Sequence, residues 1–162
     1  MENPLDLVNR KILLLIQDNA RRSIAEVAHE SGLSTSPCHK RIKNMEKSGV
    51  ILNYVANLDI GKICSNVSFL AEISLREHNP YAFRKLEAAV KSERSLVECY
   101  QVSGDYDYFA RFICRDVDDY TGITERLTTK SPIAKIRSHC VLSKVKKFSG
   151  YPLEHLIDFE QA

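Results

Sequence analysis

The stretch 34–49 carries side chains that could contact a polyanion. Its four basic residues outnumber its single acid, Glu46. At 3.6 residues per turn, one face of a helix here is apolar and can dock on a small core through Cys38, Ile42 and Met45. The opposite face is polar and cationic, which suits phosphates and base edges. We expect DNA contacts from Ser34, Thr35, Ser36, His39, Lys40, Arg41, Lys43 and Lys47.

The position of each residue on the helix indicates which part of DNA it would contact. The three lysines are expected to contact mainly phosphates, which gives salt-dependent affinity with little sequence information. Thr35, Ser36 and His39 lie near the helix start and are better placed for base edges. Arg41 lies toward the docking side, where a structural role and a phosphate contact are both open. The alternative for the whole face is an ordinary solvated helix surface.

A second candidate is the turn Gly104-Asp105-Tyr106-Asp107-Tyr108. The carboxylate of Asp107 is expected to point away from the buried alternation of its strand, where it could receive an ammonium group. Backbone N–H groups of the turn could then bind a carboxylate. The alternative is a purely structural hairpin in which the glycine and Asp105 serve the turn.

Histidines and cysteines show no catalytic or metal-binding pattern. His78, His139 and His155 are the only histidines of the second half, and they do not cluster. The five cysteines are scattered without a C-x-x-C pair, which favours free buried thiols. Cys140 is assigned to the core rather than to redox chemistry. We therefore expect no catalytic residues, no metal and no cofactor.

Composition places the chain among ordinary globular proteins. Its 162 residues are 44% apolar and 27% charged, and the net charge is only +2. No run approaches the roughly 20 apolar residues of a membrane span, and the N-terminus lacks the pattern of a signal peptide. A cytoplasmic location without a membrane partner is the resulting expectation.

Three short helices are predicted before residue 50. Asp6 caps the first, which ends at Asp18-Asn19, and Ser23 with Glu26 forms a capping box for the second. A turn at Gly32 leads into the third helix, which ends at Gly49. Two helices joined in this way form a helix-turn-helix. The β-rich stretch 50–56 is expected to be a hairpin or wing, followed by a linker that could hold a strand at 58–60.

The second half alternates strands and helices. Strands are predicted over 67–75, 96–103, 106–114 and 133–146. One helix follows Asn79-Pro80, and another is capped by Asp118 and ends at Ser131-Pro132. This βαββαβ order is the ferredoxin-like split βαβ. The sheet face without helices is expected to pack against a second subunit, since it carries Leu70, Phe109, Ile113, Val141 and Val145.

The predicted fold class is therefore α+β. A winged helix-turn-helix domain occupies residues 1–56, and a linker occupies 57–66. A ferredoxin-like βαββαβ domain for effector binding and oligomerisation occupies 67–147, and a C-terminal tail occupies 148–162.

Several motifs together resemble the Lrp/AsnC (feast/famine) family of transcription regulators. The resemblance covers the chain from about residue 6 to residue 147, and its matching stretches lie within that range. They are Arg10-Lys11-Ile12-Leu13, Ile24-Ala25-Glu26-Val27-Ala28, Gly32-Leu33-Ser34, Pro37-Cys38-His39-Lys40-Arg41-Ile42-Lys43, Gly49-Val50-Ile51 and Ser103-Gly104-Asp105-Tyr106-Asp107-Tyr108. Their order and separations make the resemblance specific.

The resemblance implies an assembly and an effector. Family members dimerise through the C-terminal domain, often form octamers, and bind amino acids between dimers. The corresponding effector residues here are Val102, Ser103, Gly104, Asp105, Tyr106, Asp107 and Tyr108, with His139, Cys140 and Val141 of the last strand. The chain departs from many relatives at Ser138-His139-Cys140, so the identity of the amino acid does not carry over.

We therefore expect a sequence-specific regulator that binds pseudo-palindromic double-stranded DNA as a dimer or octamer and responds to an amino acid. Two alternatives stay open. One is an enzyme of the same two-domain plan, similar to sirohaem decarboxylases, and the other is an effector-independent architectural DNA-binding protein.

Overall fold

The computed structural model describes residues 6–156. The first five residues of the predicted DNA-binding domain and the last six of the predicted tail lie outside this range. Contacts divide the described chain into two units, one of residues 6–57 with 146–156 and one of residues 58–145. None of the helices within 6–156 combines the length and apolar character that crossing a membrane requires.

The first unit begins with three helices, α1 (Leu7–Asp18), α2 (Ile24–Glu30) and α3 (Thr35–Lys47). The predicted caps at Asp6 and Ser23 are confirmed: Asp6 accepts from the Asn9 N–H, and Ser23 forms a capping box with Glu26. Gly32 and Gly49 both have positive φ, +71° and +79°, as the turns at the starts and ends of helices require. The core of this unit consists of Ile12, Val27, Ala28, Cys38, Ile42 and Met45.

The expected hairpin over 50–56 is wrong. The described chain forms no strand there, and the expected strand at 58–60 is replaced by a short 3₁₀ helix at Ile60–Lys62. A β-rich sequence needs a partner strand for its backbone hydrogen bonds, and no described segment pairs with this one. The side chains of Leu52, Val55 and Leu58 are exposed as a result.

The second unit has the predicted βαββαβ order. Its elements are β1 (Val67–Leu75), α4 (Pro80–Ser92), β2 (Leu96–Gln101), β3 (Tyr108–Cys114), α5 (Val117–Lys130) and β4 (Ile133–Cys140). The antiparallel sheet has the strand order β2-β3-β1-β4, so β2 and β4 are edge strands. Alternate residues of β1 and β3 face α4 and α5 and form the larger core, which is centred on Ala71, Ile73, Leu86, Ala110 and Phe112.

Some boundaries differ from the predictions. The connection between β2 and β3 is longer than expected, because β2 ends at Gln101 and β3 starts at Tyr108. β4 ends at Cys140 instead of continuing to 146. The cap of α5 is Asp116, not Asp118, since the Asp116 side chain accepts from the Asp119 N–H.

The tail contains one further helix, α6 (Leu153–Leu156). Before it, the segment at Tyr151 is bound to α1. The Gln17 side chain donates to the Tyr151 carbonyl oxygen and accepts from the Tyr151 N–H, each at 2.8 Å. Phe148 and Tyr151 pack edge to face with ring centroids 5.2 Å apart. The tail segment at Tyr151 therefore folds against the first helix of the chain.

Candidate DNA-binding helix and ligand pocket

Helix α3 has two faces that match its amphipathic sequence. Cys38, Ile42 and Met45 are buried against α1 and α2, which confirms Cys38 as a core residue. The outer side chains predicted to contact DNA are exposed: Ser34, Thr35, Ser36, His39, Lys40, Lys43 and Lys47. Ser34 has the backbone conformation of an N-cap, but its side chain makes no capping hydrogen bond. Its hydroxyl is available at the end of the helix that is best placed to meet a base edge.

Arg41 differs from the other basic residues of α3. Its guanidinium lies 2.6 Å from a carboxylate oxygen of Asp6 and also donates to the Asn9 side-chain oxygen at 3.1 Å. Burial alone would raise the pKa of the Asp6 carboxyl, but hydrogen bonds from the Asn9 N–H and from Arg41 lower it overall. Of the two roles left open for Arg41, this geometry supports the structural one, because it ties α3 to the start of α1.

Lys43 is also paired. Its ammonium lies 2.7 Å from a carboxylate oxygen of Glu46, one turn along the helix. The other oxygen of Glu46 accepts from the Tyr54 hydroxyl at 3.0 Å. Lys40 and Lys47 make no ion pair within the described residues. The i, i+3 spacing of Lys43 and Glu46 was visible in the sequence, but the contribution of Tyr54 was not.

The Gly104–Tyr108 turn is closed by the backbone. The Val102 N–H donates to the Asp107 carbonyl oxygen at 2.9 Å, and Gly104 has a φ of +122° that favours glycine. Ser103, Gly104 and Asp105 are exposed, whereas Val102 is half-buried. The tip of the turn, including Asp105, is therefore open to solvent.

The Asp107 carboxylate, which we expected to be open to an ammonium group, is bound within the protein. Its carboxylate accepts from the Leu75 N–H at 2.8 Å and lies 2.8 Å from the imidazole of His78. Both partners lie at the end of β1 or just after it, so Asp107 ties the turn to the β1–α4 connection. Both of its carboxylate oxygens therefore have protein partners, and Asp107 does not line the pocket described below.

Tyr108 also faces inward. Its ring is buried, and its hydroxyl donates to Glu87 on α4 at 3.2 Å. Burial raises the pKa of Tyr108 to about 12, and the neighbouring Glu87 carboxylate adds to this effect. The residue belongs to the core beneath the turn rather than to its exposed surface.

A small polar pocket lies where the turn meets the sheet face without helices. Its volume is about 120 Å³, and its lining residues are Glu72, Ser74, Asp105, Tyr106, Lys135 and Arg137. The β1–β4 register places Glu72 opposite Arg137 and Ser74 opposite Lys135. The carboxylate of Glu72 and the guanidinium of Arg137 lie 3.1 Å apart. We call this site the Glu72 pocket.

The predicted residues of β4 are only partly brought to this pocket. The His139 imidazole lies 3.3 Å from the other carboxylate oxygen of Glu72 and so borders it. Cys140 pairs with Phe69 and lies on the opposite sheet face, while the Val141 N–H donates to Ser68, further from the turn. Cys140 is exposed, and so is Cys64, so the expected burial of these two thiols is wrong.

Four residues of the pocket were missed. Glu72, Ser74, Lys135 and Arg137 all project from the sheet face that lacks helices. The sequence could have indicated them, because charged residues stand on the face that was predicted to be apolar. These are Glu72 on β1 and Lys135 and Arg137 on β4. The apolar part of that face is real: Leu70, Phe109, Ile113 and Val141 are half-buried there. Val145 is 97% exposed and lies beyond β4, so its assignment to this face is wrong.

The described residues contain no group of three or more histidine, cysteine or acidic side chains arranged to hold a metal ion.

Comparison with protein families finds two matches, one in each half of the chain. Residues 5–51 match the winged helix-turn-helix DNA-binding family, and residues 68–151 match the Lrp/AsnC ligand binding domain. The leucine-responsive regulatory protein of Haemophilus influenzae is 31% identical over 144 residues, which cover 88% of this chain and 87% of that protein.

Solved structures agree over almost the whole chain. The crystal structure of an AsnC family transcriptional regulator from Agrobacterium tumefaciens has a TM-score of 0.86 and 31% identity, covering 94% of this chain and 100% of that one. A transcriptional regulator of Neisseria meningitidis, solved as a complex with L-Met, also has a TM-score of 0.86, with 26% identity and coverage of 94% and 99%.

Proposed function

This chain belongs to the Lrp/AsnC family of transcription regulators, and from that premise we propose that it controls transcription by binding DNA through α3 in response to an amino acid. The observation that supports the proposal best is the pairing of two sites in one chain. An exposed cationic helix lies in the first unit, and a pocket with both signs of charge lies in the second.

The DNA contacts are proposed residue by residue. Lys40 and Lys47 contact phosphates, and Lys43 joins them when it leaves Glu46. Ser34, Thr35, Ser36 and His39 lie at the exposed helix start, where short polar side chains can reach base edges in the major groove. Arg41 supports the helix from behind through Asp6. This division keeps the phosphate contacts and the sequence-reading contacts on different residues.

The effector proposal follows from the charges of the Glu72 pocket. A free amino acid carries one carboxylate and one ammonium group. Lys135 and Arg137 suit the carboxylate, and Glu72 with Asp105 suits the ammonium group. These four residues replace Asp107 as the proposed charged contacts, while Ser103, Gly104, Tyr106 and His139 remain proposed neighbours of the ligand.

The pocket also needs a cover. Ligand sites usually enclose roughly 300–1,000 Å³ and bury most of their ligand, whereas this pocket measures about 120 Å³. A second subunit over the sheet face without helices would enclose it and bury Leu70, Phe109 and Ile113. We therefore propose a homodimer that assembles further, to an octamer in the fullest case. Two α3 helices in a dimer would bind a pseudo-palindromic site.

The remaining proposals follow from this function. The related proteins are transcription regulators, and we propose that this chain likewise has no enzymatic activity. A regulator of chromosomal genes acts where the chromosome is, in the cytoplasm. We keep the proposed boundaries of 1–56 for DNA binding, 57–66 for the linker, 67–147 for the effector domain and 148–162 for the tail.

The effector is tested by thermal shift with each of the twenty L-amino acids. A ligand at 100 times its Kd stabilises the folded state by about 2.7 kcal/mol. We expect stabilisation by at least one amino acid, and its loss in Arg137→Met and Lys135→Met. Lys130→Met removes one exposed charge at the end of α5 and serves as the control. If no amino acid stabilises the wild-type protein, the effector proposal fails.

A further inference from the structure

The positive charge that α3 offers to DNA is smaller than its sequence indicates. Arg41 is engaged with Asp6, and Lys43 is engaged with Glu46. Within the described residues, this leaves Lys40 and Lys47 as the basic side chains of α3 that have no ion pair. One of the two engaged residues, Arg41, supports the fold. The pairing of Lys43 has no such role, because its side chain is 61% exposed.

Glu46 is held more firmly than an ordinary surface acid. Its side chain is 28% exposed, and its two carboxylate oxygens have different partners, Lys43 and Tyr54. Tyr54 comes from the segment after α3 and lies over the helix. The hydrogen bonds from Lys43 and from Tyr54 lower the pKa of Glu46, so its negative charge is present throughout the neutral range. Tyr54 thus fixes a carboxylate beside a lysine on the face that would meet DNA.

We propose that Glu46 restrains the binding of α3 to DNA phosphates by neutralising Lys43, and that it thereby lowers both the affinity of the protein for DNA of any sequence and the salt dependence of that affinity. The inference rests on the proposed DNA-binding function of α3. It makes Glu46 an affinity-limiting residue that acts through Lys43.

The physical reason lies in how sequence-independent affinity arises. Each lysine that neutralises a phosphate releases counterions, and about 0.9 is added to the slope of log affinity against log salt concentration. A lysine that is already paired must leave its carboxylate or bring that carboxylate close to the phosphates. Either event weakens binding to every DNA sequence by a similar factor, because phosphates are the same in all of them.

Glu46→Gln tests the inference directly. Glutamine keeps the shape of the side chain and an oxygen that accepts from Tyr54, but it releases Lys43. Binding is measured by fluorescence anisotropy over a series of salt concentrations, on a random-sequence duplex and on a duplex selected by the wild-type protein from a random pool. We expect the salt slope to steepen by about 0.9. Affinity for the random duplex should rise roughly two- to fivefold, as for the loss of one exposed ion pair. Affinity for the selected duplex should rise by a similar factor.

Two further variants separate Glu46 from a general charge effect. Glu125→Gln adds the same unit of charge on α5, which makes no proposed DNA contact, and should leave the slope unchanged. In Lys43→Met, the substitution Glu46→Gln should lose most of its effect, because the lysine through which Glu46 acts is gone. Melting curves of each variant establish that the folded state is being compared.

The outcomes distinguish this inference from the proposed function. A wild-type protein whose affinity does not depend on salt contradicts DNA binding by α3 itself. A salt-dependent wild type with an unchanged slope in Glu46→Gln overturns the role of Glu46 alone. A variant that loses affinity only for the selected duplex also overturns it, because Glu46 would then read a base, as carboxylates can at cytosine.

Discussion

At the residue scale, Arg41 lies on the proposed DNA-binding helix but is engaged within the protein. Its side chain is about one-fifth exposed, and its guanidinium lies 2.6 Å from a carboxylate oxygen of Asp6. Asp6 also caps α1 through the Asn9 N–H. One carboxylate therefore both starts α1 and anchors α3, and removal of Arg41 should weaken the packing of these helices while leaving the count of phosphate contacts unchanged.

We expect Arg41→Ala to lower the free energy of unfolding by about 1–2 kcal/mol, the range for partly exposed charge-assisted hydrogen bonds. The salt slope of DNA binding, measured well below the melting temperature, should not change. Because the pKa of Asp6 is lowered in the folded state, the stability from this pair is present above the ordinary carboxyl pKa. It is lost as the pH falls through the lowered value, so urea titrations of wild type and variant should converge in acid. A flattened salt slope would show that Arg41 contacts phosphate instead.

Tyr54 reports on the charge of Glu46. Burial, with a further contribution from the hydrogen bond to Glu46, raises the pKa of Tyr54 to about 12. In Glu46→Gln the charge is removed and the burial stays, so the pKa of Tyr54 should fall while remaining above its usual value. Ultraviolet difference titration measures this, and Tyr54→Phe identifies the signal. An unchanged titration would mean that the two side chains are apart in solution.

The unfolded chain has the ordinary tyrosine pKa, so it loses the Tyr54 proton first as the pH rises. The stability contributed by this group is complete below about pH 10 and declines between about pH 10 and 12.

Residues whose environment is set by nearby sequence were predicted well. Cys38, Ile42 and Met45 are buried as helical spacing indicates, and Ser23 forms its capping box with a residue three positions on. The hydrogen bond of Asp107 was not predicted. Its partner, the Leu75 N–H, is 32 positions away along the chain and is brought to it only by the β1–β3 pairing. The Glu72 pocket has the same origin, since Glu72 and Arg137 meet only through the register of β1 with β4.

At the element scale, the ends of strands are decided by their partners rather than by their own alternation. The register pairs Cys140 with Phe69, and β1 begins two residues before Phe69, at Val67. β4 lies at the edge of the sheet, so nothing else in it can pair with the residues that follow Val141. Leu142 and Val145 are apolar residues within the predicted strand, but they follow β4 without a partner strand and are exposed. The stretch 50–56 fails as a hairpin for the same reason.

The tail segment at Gly150 gives an element-scale prediction. Gly150 has a φ of +111°, and a Cβ there would lie 2.7 Å from the Gln17 side chain that binds Tyr151. Gly150→Ala should cost about 1–2 kcal/mol locally, so that the tail leaves α1 more often. Exchange of the Tyr151 amide hydrogen should become roughly 5–30-fold faster.

Gly61→Ala is the matched control. The φ of Gly61 is not positive, and its nearest neighbouring atom lies at 3.6 Å, an ordinary contact. Its effect on the Tyr151 amide should be negligible. Equal exchange rates in the two variants would contradict the binding of the tail to α1.

At the scale of the whole molecule, regulation requires that the amino acid bind one assembly better than another, because a ligand without differential affinity shifts no equilibrium. The Glu72 pocket opens on the sheet face that we propose for subunit contact. A ligand that bridges two subunits there would favour one arrangement of the paired α3 helices.

A dimer with two α3 helices makes the spacing of half-sites a measurable quantity. Insertion of five base pairs at the centre of the selected duplex turns one half-site to the opposite side of the DNA. Insertion of ten, about one turn, restores its side. Affinity should fall with five and recover, at least in part, with ten. Equal affinity for all three duplexes would contradict binding by a fixed pair of helices.

The central claim is that one chain couples an amino acid to DNA binding. Its most direct test is the Kd for the selected duplex, measured with and without the amino acid that gives the largest thermal shift. We predict at least a fivefold change in Kd or a change in the stoichiometry of the protein–DNA complex, and neither change in Arg137→Met. An amino acid that stabilises the protein while leaving both the Kd and the stoichiometry as they were would contradict the claim.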